Sequence, residues 1–291
     1  MGADLQLLLD AVVSGVMVGG FYAAAAVGIT IAFGLLDIVN IAHPGFIVAG
    51  AFIAYWLNVT FGLDPLLSAA IAAPLSFFVG RLLYRNYYLA FEKHGEESLQ
   101  GLAFFFGILF IVEVALLLVF GVDYRFVEAP YIGPTVSLGS VTVATRLLVP
   151  LLVGLSVVAA IQVYLKYTFV GRTILAVSQD PGALRLVGGD PVWTKEIAFG
   201  LSIATAVIAG CLLIIIQAVE PSIGREYIGR VFAICVLGGM MSLTGTVVAS
   251  MILGIAESIT TIYFGPSWAP AVSFGFLLIA LTVRPSGIFS R

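Results

Sequence analysis

Charge is what this chain lacks most. Of 291 residues only 10% are Asp, Glu, Lys or Arg, while 61% are hydrophobic, and the mean hydropathy is +1.13. A soluble domain carries about 25% charged and about 45–50% apolar residues. No soluble core could hide this excess, so lipid must solvate most of the chain. That excludes a secreted enzyme, a nucleic-acid binder and a disulfide-stapled module. Cysteine is scarce too: Cys211 and Cys235 both fall in uncharged runs and read as small, inert core residues. The two histidines, His43 and His94, are not spaced for a metal, and no His-Glu-x-x-His run occurs. None of the three lysines, Lys93, Lys166 and Lys195, follows a glycine. The chain therefore lacks a Walker-type phosphate loop, and any ATP and Mg²⁺ must be bound by another subunit. No nucleophile–base pair can be assembled either, so a non-enzyme without catalytic residues, metal or cofactor of its own is expected.

What the chain has instead is long uncharged runs. They lie between Asp10 and Asp37, Asp37 and Asp64, Asp64 and Arg81, Arg146 and Lys166, Glu196 and Glu220, Arg230 and Glu257, and Glu257 and Arg284. One more, Leu99 to Gly121, is interrupted only by Glu113. About 20 apolar residues rising 1.5 Å each cross a hydrocarbon core about 30 Å thick. Such spans must be helical, because lipid satisfies no exposed backbone group. The polar–apolar alternation of a membrane β-barrel is absent. An all-α polytopic protein is predicted, with about eight crossing helices and the whole of 1–291 as one membrane domain.

The basic residues sort by side. Arg81, Arg85, Lys93, Lys166, Arg172, Arg185, Lys195, Arg284 and Arg291 fall in the loops 81–97 and 166–196 and the tail after 283, against Arg125, Arg146, Arg225 and Arg230 on the other side. The richer side is cytoplasmic by the positive-inside rule. This places the C-terminus inside and the N-terminus outside, the latter with no basic region or cleavage site of a signal peptide.

Parity requires 231–262 to enter the membrane and return. Gly238-Gly239 and Ser242-Leu243-Thr244-Gly245 interrupt it, so a short or re-entrant limb is predicted, followed by a full helix from about Thr246. Asn40-Ile41-Ala42-His43-Pro44-Gly45 is a similar interruption, since Pro44 and Gly45 disfavour continuous helix. Broken helices at membrane depth persist only where the backbone is buried in protein or lines a wet cavity. Asn40, His43, Gly238 and Gly239 are accordingly candidates for a translocation pathway, and so is the acid Glu257. Glu113 is the other acid within a span; no intramembrane Arg or Lys is expected to pair with either, which counts against a proton relay.

The loop 166–196 is longer than a helix connection needs. Ser178-Gln179-Asp180 before Pro181 reads as an N-cap signal, Gly182–Val187 as one or two helical turns, and Gly188-Gly189 as their end. A short helix across the membrane plane is what a partner needs in order to push on the spans. On the other side 122–145, with Pro130, Gly133, Pro134 and Gly139, reads as a turn-rich or hairpin-like cap, and Pro221-Ser222-Ile223-Gly224 as a second landmark.

Several stretches together resemble the permease subunits of high-affinity branched-chain amino acid ABC importers. They are Gly15–Ala23, Gly28-Ile29-Thr30, Phe33-Gly34 and Asp37–His43, followed by Gly171-Arg172 to Asp180, Ala183-Leu184 and Gly188. Val236–Gly239, Gly245, Leu253–Glu257 and the closing Arg284–Phe289 complete the pattern over nearly the full length. The resemblance implies an architecture shared with ribose and, more distantly, vitamin B12 importer permeases. It also implies a second homologous permease, two cytoplasmic ATPases and a periplasmic binding protein, all at a bacterial inner membrane. Residues 171–190 then form the coupling loop that docks on an ATPase through Ser178, Gln179, Asp180, Ala183, Leu184, Leu186 and Gly188. The implied cargo is a branched-chain or hydrophobic amino acid, or a related small carboxylate or amide. Pro44-Gly45, Gly189-Asp190 and Glu113 depart from the family pattern and bear on the cargo rather than the mechanism. A stand-alone ion-coupled carrier or channel is the rival reading.

Overall fold

The computed structural model describes residues 2–95, 99–138, 141–284 and 287–289. Gly139, Glu96-Glu97, Pro285-Ser286 and Arg291, used in the loop, tail and charge readings, lie outside them. The first helix, α1 (Gly2–Ile29), runs into a π-helical turn, Thr30–Leu35. Next come α2 (His43–Phe61), α3 (Pro65–Ala90), α4 (Leu99–Phe120), a hairpin of β1 (Thr135–Leu138) and β2 (Val141–Ala144), and α5 (Thr145–Tyr167). Two short helices, α6 (Phe169–Gln179) and α7 (Pro181–Leu186), lead to α8 (Pro191–Ile216), α9 (Gly224–Gly238), α10 (Leu243–Phe264) and α11 (Ala269–Val283). Eight of these, α1 with its π turn, α2 to α5, α8, α10 and α11, are long and apolar enough to cross a membrane. The protein is a multi-pass helical membrane protein. Helix α9, with 15 residues, is the short limb: it rises about 22 Å, less than the hydrocarbon core.

Both interruptions exist, with shifted borders. The short limb begins at Gly224 rather than Val231, and α10 begins at Leu243 rather than Thr246. Ser242 sets that start, its Oγ accepting from the amide of Gly245 at 3.0 Å. Gly239 ends α9 at φ 93°, a left-handed conformation that glycine adopts without a Cβ clash. The first break lies at 36–42, overlapping the expected 40–45 only over 40–42. Asp37 turns the chain at φ 58°, and Pro44 sits in the first turn of α2, where its missing N–H has no intrahelical partner to lose.

Helices α1 and α8 form the centre. In lipid the driving force between helices is close backbone contact rather than water exclusion, and glycine supplies it. Gly15 and Gly19 of α1 face Ile255 and Met251 of α10, and a Cβ at Gly254 would lie 2.8 Å from the backbone nitrogen of Gly19. Gly80 of α3 meets Gly200 of α8 in the same way. These pairings run α1 and α10 antiparallel. The hairpin end of the bundle is tied by Arg125, whose backbone pairs with Val219, and by Tyr131, whose hydroxyl donates to Asp64 at 3.0 Å. Burial beside that carboxylate pushes the Tyr131 phenol above its ordinary range. At the opposite end, the start of α8 is pinned to α3 and the turn after it: Arg81 of α3 pairs with Glu196 at 3.1 Å and Lys195 with Glu92, two residues past α3, at 2.6 Å.

Candidate functional site

Three constellations stand out, and the first is the α6–α7 segment. Thr168 caps α6, accepting from the Gly171 amide at 2.9 Å. Gly171 lies so close to Tyr164 and Leu165 that no side chain fits there. Ile174 and Val177 are buried, and α6 packs on α5, α8 and the π turn. Asp180 caps α7, its Oδ1 accepting from Gly182 and Ala183 at 2.8 and 3.0 Å. Gly188, at φ 84°, ends it, and Gly189 returns an amide to the Leu184 carbonyl at 2.9 Å. Asp190 then caps α8 at 2.9 Å. Leu184 points inward, while Leu186 and Val187 are 90% and 80% exposed. The cap reading was right for Asp180 alone. Ser178 and Gln179 belong to the last turn of α6, and Ser178 bonds back to Leu175 at 2.8 Å. Helix α6 itself escaped the sequence reading, although Thr168 before Phe169-Val170-Gly171 is its cap signal.

The second constellation is where the two broken segments meet. A Cβ on Gly34 would strike the Met240 carbonyl, so the π turn lies directly against the α9–α10 break. Thr30 and Thr246 share a hydrogen bond at 2.9 Å, and Phe33 packs edge-on against Phe232. Gly238 abuts Gly245, and Gly239 abuts Gly287. π-Turns inside α-helices concentrate at functional positions. Asn40 is completely buried, and neither side-chain polar atom has a partner among the described residues. His43 is also completely buried, its Nε2 2.9 Å from the Ala25 carbonyl. That contact requires Nε2–H and leaves Nδ1 as a lone-pair acceptor, again without a partner among the described residues.

Glu257 lies apart, about 21 Å along α10 from its start. It is the hub of a third constellation. Arg230 of α9 donates through Nε to its Oε1 at 3.1 Å, the Tyr22 hydroxyl of α1 donates to its Oε2 at 2.5 Å, and Ser273 of α11 donates to Oε1. Arg230 also lies over the Tyr227 ring, 5.1 Å from its centre. This corrects the expectation that no intramembrane cation is available: α9 carries Arg230 into the interior, where its side chain is only 9% exposed. Glu113 likewise has a cation, Arg225, in a two-pronged contact at 3.0 and 2.6 Å. The signal missed was that α9 starts at Gly224, which puts Arg225 and Arg230 within a helix rather than in a loop. Four helices thus share one carboxylate, held by Arg230, Tyr22 and Ser273. Of the pathway candidates, Gly238 and Gly239 lie at the α9–α10 break, Asn40 in the break after the π turn and His43 at the start of α2, and Glu257 belongs to the clamp.

A multi-pass bundle in which two interrupted helices meet beside a capped, amphipathic helix pair defines a membrane permease. The family described as branched-chain amino acid transport system / permease component matches residues 11–281, and the chain belongs to it. The chain is 26% identical over 311 residues to the high-affinity branched-chain amino acid transport system permease protein LivH of Escherichia coli, covering 100% of this chain and 98% of the relative. With the permease protein BraD of Pseudomonas aeruginosa, named for the same transport system, it shares 27% over 307 residues, 99% and 97% of the two chains. The probable branched-chain amino acid transport permease protein LivH of Methanocaldococcus jannaschii matches at 26% over 287 residues, 90% and 86% of the two. Among solved structures, PsaBC from Streptococcus pneumoniae in complex with Fab aligns at a TM-score of 0.49 and 16% identity, over 97% of this chain and 94% of that one.

Proposed function

We propose that this chain is the membrane-spanning permease subunit of an ATP-driven importer that takes up branched-chain or other hydrophobic amino acids, or related small carboxylates or amides. Family membership supports the transport role, and the names of the relatives support the cargo class. Its partners are a second homologous permease, two cytoplasmic ATPases that bind ATP and Mg²⁺, and a periplasmic binding protein. The membrane is the bacterial inner membrane, with the N-terminus outside and the α7 end in the cytoplasm.

The observation that carries the reading is α7. It is a short helix, capped by Asp180 and ended at Gly188, that leaves Leu186 and Val187 facing outward. Behind it α6 rests on the π turn and on α8. A partner gripping Leu186 and Val187 therefore has a path through packed elements to the junction of the broken helices. The chain performs no bond chemistry. It holds two conformations, and ATPases and binding protein bias them through differential contacts. The reading is tested by reconstituting the chain in liposomes alone and with its ATPases and second permease. Uptake is expected only in the complete, ATP-loaded, binding-protein-supplied vesicles. Gradient-driven uptake by the lone chain would overturn it.

A further inference from the structure

At the α7 end a cavity of about 590 Å³ opens between the last turns of α5, the π turn and the α9–α10 break. That volume lies in the range of small-molecule sites, about 300–1,000 Å³. Gln162 and Lys166 sit one turn apart on the same face of α5, and both line it. Residues 147–161 of that helix contain a single polar side chain, Ser156, so α5 becomes polar where it meets the cavity. Thr244 faces it from the first turn of α10, where a helix leaves its N–H groups without internal acceptors. Leu165, Leu175 and Phe289 supply apolar wall. The tail holds Phe289 in place: the Ile288 amide donates to the Leu237 carbonyl at 2.9 Å, and Gly287 packs on Gly239. Lys166 is the one charged side chain among the described lining residues, and none of them is a carboxylate. The chamber is therefore rich in donors, carries one cation and has aliphatic and aromatic walls.

We propose that this cavity is a binding site for a small aliphatic carboxylate, the position the transported solute takes on the α7 side of the broken helices. Lys166 and Gln162 meet the carboxylate, and Leu165, Leu175 and Phe289 surround the chain. The assignment rests on the importer reading for the identity of the cargo but is tested without transport. A reporter cysteine replaces Met241, which lines the cavity and is exposed; the native Cys211 and Cys235 are buried and react slowly. The rate of modification by a charged thiol reagent is measured on the full chain in nanodiscs with leucine, 4-methylpentanoate, 3-methylbutylamine or palmitate present. Leucine and 4-methylpentanoate are expected to slow it by 1 + [L]/Kd, about fivefold at four times Kd, while the amine leaves it unchanged. K166Q is expected to abolish the slowing and K166R to retain it. Phe289→Cys provides a second reporter on another wall. No slowing by leucine or 4-methylpentanoate, equal slowing by the amine, or slowing by palmitate alone would overturn the proposal. Failure of ATP-driven uptake would count against the importer reading and leave this protection intact.

Discussion

Replacing Glu257 by alanine removes a carboxylate that four helices share, and the structure sets the size of the penalty. Its side chain is 7% exposed and accepts from Arg230, Tyr22 and Ser273. Without it Arg230 keeps the Tyr227 ring and, as an ion pair, Glu226, at 3.5 Å and 59% exposed, a surface-type pair worth about 0–1 kcal/mol. The substitution therefore strands a buried guanidinium, which costs about 3–5 kcal/mol. At about 2–4 °C per kcal/mol the detergent-solubilised protein should lose about 6–20 °C in Tm. The assay is survival of the monodisperse size-exclusion peak after heating, applied to a full double-mutant cycle. R230M and E257M alone should each be destabilised as well, whereas R230M/E257M should be more stable than either of them, since removing both charges removes the stranded one. A Tm for E257A within about 2 °C of the parent, or a double variant weaker than both singles, would refute the clamp.

Glycine positions give sharper contrasts. Gly254→Leu drives a side chain into the backbone of α1 and should lower stability by at least about 1–3 kcal/mol, read as loss of the same peak. Gly275→Ala, with nothing within 4 Å of the added methyl, should leave it unchanged. Gly188→Ala places a Cβ at φ 84°, a strain of about 1–2 kcal/mol. Because α7 protrudes, the effect should be local: amide exchange at 183–187 should rise about fivefold to thirtyfold with Tm unchanged.

The spans were legible because lipid imposes a strict rule: about 20 apolar residues without charge, which 197–216 satisfy literally and 99–120 satisfy but for Glu113. Helix borders near polar residues were less so. Arg225 and Arg230 read as loop charges because an isolated arginine in lipid is costly, and only the partners Glu113 and Glu257, 112 and 27 residues away, make their place within a helix, and the burial of Arg230, tolerable. Asp180 was readable as a cap since the signal is local in sequence. Helix α6 was hidden because its apolar face is only Ile174, Val177 and their neighbours, too short a stretch for periodicity to register. The lysine–glutamate and arginine–glutamate pairs that pin α8 to α3 and the turn after it join residues 103 and 115 apart. Such pairs follow from the fold and cannot be read before it. The meeting of Gly34 with Met240 is likewise tertiary, though both breaks that create it were visible in the sequence.

The central claim, that α7 transmits the ATPase stroke to the junction of the broken helices, is tested most directly at one exposed residue. Leu186→Asp changes a side chain that is 90% exposed, so the membrane fold has no reason to weaken. In proteoliposomes holding the complete assembly, the account predicts that L186D retains the parent Tm and membrane insertion. It also predicts loss of ATP-driven uptake together with the binding-protein stimulation of ATP hydrolysis. Uptake by L186D at the parent rate would contradict it.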